Sequence, residues 1–308
     1  MINYYVLENG RALQIDEPLA DVFWVDLVNP TEEERRRVER YFAVELFTRQ
    51  ESEEIESSSR YVETEEEIGV NMDFLFQNDD IFANSPVSFI LKNKVLFTQR
   101  AMEFHTFTDV SRRLRALHPK DGGDVFLAIL ATRIDFDADS IEYSTAKINA
   151  ISNRLATAGH DIDRDLLLQI SALQATTIAI RKNIIEKRRI LSSLLRSRLM
   201  PKNDENNITI MIKDADSLLD HASFNFERLE FLQNTFLGLV GIDQSRVIKI
   251  FTVVTVMFMP PTLIGAIYGM NFDLLPELHL RFGYPLALLM MAASSGLTLL
   301  IFRLKKWL

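Results

Sequence analysis

IFTVVTVMFMPPTLIGAIYGMN, residues 250–271, opens with 19 uncharged residues and turns polar at Gly269, Met270 and Asn271. That length matches the ~20 residues that cross a bilayer core as a helix. A second uncharged stretch of 19 residues, YPLALLMMAASSGLTLLIF, covers 284–302. Buried core helices can also be apolar throughout, but two such runs in close succession predict membrane spans. The expected division is a first span at about 248–268, an outer loop at 269–283 and a second span at 284–302.

The flanks set the orientation. Arg246 and Lys249 precede the first span, and Arg303, Lys305 and Lys306 follow the second. Basic residues are retained on the cytoplasmic side, so both termini are expected inside and the loop outside. MINYYVLENGR has no basic segment leading into an apolar one, and no signal peptide is expected. Tyr268, Tyr284 and Trp307 fall at interface depths.

The first span is more than an anchor. Pro260 and Pro261 lack N–H donors, so carbonyls one turn earlier lose their helix partners and need others, with Thr255 and Thr262 close in sequence. Ser245, Ile248, Thr252, Thr255, Met259, Thr262 and Ala266 follow at alternating intervals of three and four. This is a heptad seam, by which identical helices pack around a common axis. A hydroxyl-rich seam suits a pore shared by several copies; it equally suits close helix packing, and the pattern alone leaves both open. The second span has no such stripe, and AASSG at 292–296 reads as a packing patch against the first.

Composition divides the chain. The 308 residues carry a formal charge of −9, but residues 1–244 hold a net of about −13 and residues 245–308 about +4. An acidic body argues against nucleic acid, whose phosphates need basic clusters. The chain has no cysteine, which excludes disulfides and thiolate metal sites. His105, His118, His160, His221 and His279 are scattered, no phosphate-cradling glycine loop occurs, and no enzyme chemistry is expected.

Residues 1–123 read as a mixed α/β domain. NYYVLENGRALQI predicts a hairpin turning at Asn9-Gly10, VFWVDLV a strand, and NPTEEERRRVERYF a helix capped by Thr31. IGVNMDFLFQ and VSFILKNKVLFTQ predict further strands, the latter folding back at Lys92-Asn93. ESEEIESSSR, 51–60, reads as an acidic helix or loop. Residues 124–244 carry long helical periods. One helix is expected over about 125–156, a second over 164–199, and a third from about residue 206 running into the first span. Residues 245–308 form the membrane domain.

The C-terminal 70 residues resemble the CorA family of magnesium transporters. The resemblance rests on VIKIFTVVTVMFMPPT, the motif Tyr268-Gly269-Met270-Asn271, PEL at 276–278, FGYP at 282–285 and the closing FRLKKWL. VFWVDLVNPTEEER and ESEEIESSSR are weaker N-terminal echoes. It implies an α+β cytoplasmic domain, an α/β/α sandwich, with a long stalk helix and two transmembrane helices, in a funnel-shaped homopentamer of the bacterial inner membrane. It implies Mg²⁺ transport down the electrochemical gradient, with Co²⁺ and Ni²⁺ often accepted, and closure by Mg²⁺ bound between cytoplasmic domains. The family's pore-lining positions map onto Ser245, Ile248, Thr252, Thr255, Met259, Thr262 and Ala266. Its selectivity motif maps onto Gly269, Met270 and Asn271. Many members carry Asn where this chain has Ser245 and Met where it has Ile248.

Mg²⁺ dehydrates reluctantly, so a mouth that holds the hydrated ion is expected, with the Asn271 side-chain oxygen and the Gly269 carbonyl accepting from its waters. Asn271 also suits a helix C-cap. Asp273 and Glu277 either concentrate cations at the entrance or belong to a solvated loop. Two other readings stand beside this one: a relative specialised for Zn²⁺ or Co²⁺, and a membrane-anchored sensor or scaffold without conduction.

Overall fold

A computed structural model describes residues 1–8, 11–15, 17–18, 21–52, 60–78, 81–157, 164–270 and 282–305. These fall into two compact units, one of residues 1–157 and 164–233, the other from Asn234 onward. The Asn9-Gly10 turn, residues 53–59 and the break at 158–161 lie outside the described residues.

The larger unit is built on a seven-stranded sheet. Its strands are β1 (Ile2–Glu8), β2 (Arg11–Ile15), β3 (Val22–Val28), β4 (Tyr61–Glu63), β5 (Glu67–Asn78), β6 (Ile81–Lys92) and β7 (Val95–Arg100). They run in the order β2-β1-β3-β7-β6-β5-β4. All neighbours are antiparallel except β3 and β7, where Trp24 faces Leu96 across a parallel ladder. Alternation along each strand feeds two cores. Trp24, Phe89 and Leu96 point to one face, with Phe107 and Phe126. Their neighbours Val25, Ile90 and Phe97 point to the other, with Val38. The helices behind these faces are α1 (Glu32–Phe42) on the second and α3 (His105–Leu117) and α4 (Gly122–Thr157) on the first. The result is the expected α/β/α sandwich.

Local chemistry fixes the element ends. The Thr31 side chain accepts from Glu34 N while Glu34 accepts from Thr31 N, a reciprocal cap that starts α1. A short helix, α2 (Arg49–Ser52), follows and reaches the first two residues of the acidic stretch at 51–60. The β6–β7 turn sits at Asn93 and Lys94, with φ of 50° and 67°, one residue later than the sequence suggested. Lys92 stays in the ladder opposite Val95, and its ammonium is held by Glu67 and by Ala43 O.

Three long helices complete the chain: α4, α5 (Arg164–Leu194) and, after a single 3₁₀ turn at Lys202–Asp204, the 64-residue α6 (Glu205–Tyr268). α5 stops five residues short of the expected Leu199. Beyond Leu194 the backbone tightens, and Ser197 Oγ and Arg198 N donate instead to the Glu63 carboxylate at 3.0 and 3.1 Å. The last element is α7 (Gly283–Leu304). Two elements escaped the sequence reading, β4 and α3. α3 has no side-chain N-cap to announce it.

Between α4, α5 and the sheet lies a buried polar cluster. Lys187 Nζ sits 2.8 Å from Asp137 Oδ2 and also meets Asn183. Asn183 Nδ2 donates to Asp73 O at 2.8 Å, and the Arg133 guanidinium donates to Leu75 O. Asp137, Lys187 and Arg133 are each at most 1% exposed.

Candidate functional site

The smaller unit consists of the C-terminal part of α6 and α7. Both helices are long and apolar enough to cross a membrane. Turning ~100° per residue, Ser245, Ile248, Thr252, Thr255, Met259, Thr262 and Ala266 share one face of α6, and all seven are exposed. Val253, Met257, Pro260, Ile264 and Tyr268 lie about half a turn away and are partly covered. α7 docks on that covered side, with the Met291 terminal methyl carbon 3.4 Å from where a Cβ on Gly265 would stand. The hydroxyl face of α6 is thus turned away from α7.

The threonine hydroxyls have a common geometry. Thr252 Oγ1 donates to Ile248 O at 2.8 Å, Thr255 to Phe251 O at 2.8 Å and Thr262 to Phe258 O at 2.7 Å. Each hydroxyl proton is therefore spent inside the helix, and the oxygen lone pairs face outward. The row presents acceptors.

The same bonds decide which group serves Met257 O, one of the two carbonyls that the prolines leave without a helix donor. Pro261 has no N–H to offer Met257 O. The sequence suggested Thr255 or Thr262 as the substitute donor; both serve other carbonyls. The substitute is Ser295 on α7, whose Oγ donates to Met257 O at 3.4 Å. In AASSG, accordingly, Ser294 and Ser295 face α6, whereas Ala292, Ala293 and Gly296 are exposed. The packing stripe of α7 is Ala287, Met290, Met291, Ser294, Ser295, Thr298 and Phe302, at helical spacing. That spacing was the missed signal, since the eye is drawn to the contiguous small residues.

α6 closes just before the motif. Gly269 N donates to Gly265 O at 2.9 Å, and Met270 N to Ile267 O at 3.2 Å. A Cβ on Gly269 would stand 3.1 Å from Gly265 O, closer than ordinary van der Waals contact. Asn271, Asp273 and Glu277 lie outside the described residues. Among the described residues no three His, Asp or Glu side chains gather into a metal site.

The family description "CorA-like Mg²⁺ transporter protein" matches residues 20–306. The chain belongs to the CorA family. Among curated CorA relatives, "Magnesium transport protein CorA" of Wolinella succinogenes is 38% identical over 310 residues, spanning 98% of this chain and 96% of the relative. The protein of the same name from Escherichia coli strain K12 is 33% identical over the whole of both chains. The complete CorA magnesium transporter from Methanocaldococcus jannaschii superposes with a TM-score of 0.87 at 22% identity, covering 100% of this chain and 99% of the other. The CorA fold thus extends over both units. These relatives are transport proteins, the class the sequence assigned in place of an enzyme. CorA transporters are membrane proteins, in keeping with the apolar stretches of α6 and α7.

Proposed function

We propose that five copies of the chain form a Mg²⁺-conducting pore in the bacterial inner membrane, with the hydroxyl face of α6 turned to the axis. The observation that carries this reading is the exposed row of Thr252, Thr255 and Thr262, with outward lone pairs and with α7 on the opposite side. Hydrated Mg²⁺ presents water protons in an octahedral shell, and a column of acceptors suits those protons without stripping the shell. At the outer mouth, Asn271 side-chain oxygens and Gly269 carbonyls accept from the same shell. Neutral amides hold the ion weakly enough to release it. Met270 completes the motif at the end of α6.

Ile248 and Met259 form the apolar constrictions, which exclude water when narrow. Ser245 and Ala266 bound the column at its two ends. Asp273 and Glu277 raise the local cation concentration outside. Co²⁺ and Ni²⁺, also hydrated divalent ions, pass by the same route. Arg246, Lys249, Arg303 and Lys305 favour cytoplasmic termini. Residues 1–123 and 124–244 then serve as cytoplasmic domain and helical stalk, and intracellular Mg²⁺ bound between copies holds the gate closed.

Mg²⁺ flux into liposomes containing wild type or Asn271→Ala, with Co²⁺, Ni²⁺ and Zn²⁺ as competitors, tests the proposal. Loss of uptake in an intact assembly is expected for the variant. Unchanged flux removes Asn271 from the filter, and no flux from assembled wild type overturns conduction.

A further inference from the structure

Two grooves of opposite charge flank α6 in the larger unit. One, with α5, is lined by Arg188, Arg189, Arg196, Ser192 and Asp216 around about 600 Å³ of space. Asp216 is the single carboxylate there and is held by Arg188, while Arg189 and Arg196 are exposed. The other groove, with α4, is lined by Asp124, Asp204, Asp214, Lys120 and Ile210 around about 500 Å³. Burial and the nearby carboxylates of Asp124 and Asp121 hold Asp204 above the usual carboxylate range. In a body with a large acidic excess, the three arginines stand out.

The grooves are also level with each other. α5 runs antiparallel to α6, because Gln174 meets Gln233 and Arg188 meets Asp216. Arg189 is therefore level with Asp214, and Arg196 with roughly residue 208 of α6, near Asp204. On the face of α6 between the grooves Ile210 is 49% exposed, and the same face continues beyond them with Phe224 and Phe231, 58% and 68% exposed. An apolar face that emerges from between opposite charges has the anatomy of an interface.

We propose that the occupant of each groove is a second copy of this chain: the Arg189–Arg196 groove of one copy receives the Asp214–Asp204 groove of the next. Opposite faces of one subunit meeting head to tail make a heterologous contact, which closes into a ring when the rotation permits. A two-fold dimer of either groove with itself would instead oppose like charges. This rests on the homo-oligomer proposed above and assigns the surfaces that build it.

The chain has no cysteine, so single cysteines can be placed cleanly. Full-length Arg189→Cys and Asp214→Cys chains, mixed in detergent and treated with a short bis-maleimide, are expected to cross-link to each other and not each to itself. Arg189→Glu is expected to cause loss of the assembled species on native mass measurement, and Arg189→Glu with Asp214→Arg to restore it. Cross-links only between like positions, or an assembly indifferent to both the reversal and the cysteine pair, overturn the proposal. In that last case Mg²⁺ flux by wild type leaves the pore reading standing; a wild type that is monomeric sinks both.

Discussion

Ser295 compensates for a donor that Pro261 cannot supply. Its hydroxyl is the partner of a carbonyl on the α7 side of α6 that has no main-chain donor. Ser295→Ala should weaken the α6–α7 pairing by about 0.6 kcal/mol, the average found for hydrogen bonds between membrane helices, whose maximum is ~1.7 kcal/mol. In a Pro261→Ala background, where the main-chain donor returns, the same change should cost close to nothing. A double-mutant cycle in mixed-micelle unfolding measures the difference, and equal costs in both backgrounds would refute the role. Gly122 is a second residue with one narrow task. Its N–H donates to Lys94 O at 2.7 Å, and a Cβ would stand 2.3 Å from Leu96 N. Gly122→Ala should lower stability by about 3 kcal/mol, because the start of α4 must lift off the sheet, as thermal unfolding can show. The Thr31 cap was legible because its partner is three residues away. Ser295 was not, because its partner is 38 residues distant and is a carbonyl that carries no sequence signature.

The α4–α5 pair shows the same contrast among its charges. In DFDADS, Asp135 and Asp139 are exposed while Asp137, two positions from each, is completely buried. Two helical residues turn the side chain by ~200°, so a run that looks uniformly solvated places one carboxylate inside. Asp137→Leu should cost about 3–5 kcal/mol, since it leaves the buried Lys187 ammonium without the carboxylate that offsets its desolvation, and Lys187→Met with Asp137→Leu should recover much of that. Burial lowers Lys187 from 10.5 to about 8. Between those values the unfolded chain holds a proton that the native chain has released, so stability should rise as pH increases from 8 to 10.5. Thermal unfolding across that window should show the slope in wild type and not in Lys187→Met. The strands were legible from their alternation and the long helices from their period. The end of α5 was not, because Glu63, distant in sequence, captures the final turn.

For the chain as a whole, the two charge-free runs, the hydroxyl seam and the motif at Gly269 are all contiguous or regularly spaced, which makes them legible in the sequence alone. The opposed grooves of the cytoplasmic unit draw on α4, α5 and α6 together, and only the folded chain brings those residues side by side. On the pore reading, Thr255→Val should reduce Mg²⁺ flux about tenfold, near the ~1.4 kcal/mol of a lost hydrogen-bond acceptor, with assembly unaltered. Stopped-flow uptake into liposomes measures this, and undiminished flux would show that the hydroxyl row does not meet the ion's waters.

α7 shields one side of α6 and turns Leu289 and Leu300 outward on its own far side, with Leu288 and Leu297 exposed on its flanks. Matching to bilayer thickness, whether by tilt or by added length, can therefore fall on α7. Descendants of this sequence could move to a thicker or thinner membrane by changes at those leucines, while the threonines on the neighbouring helix stayed as they are.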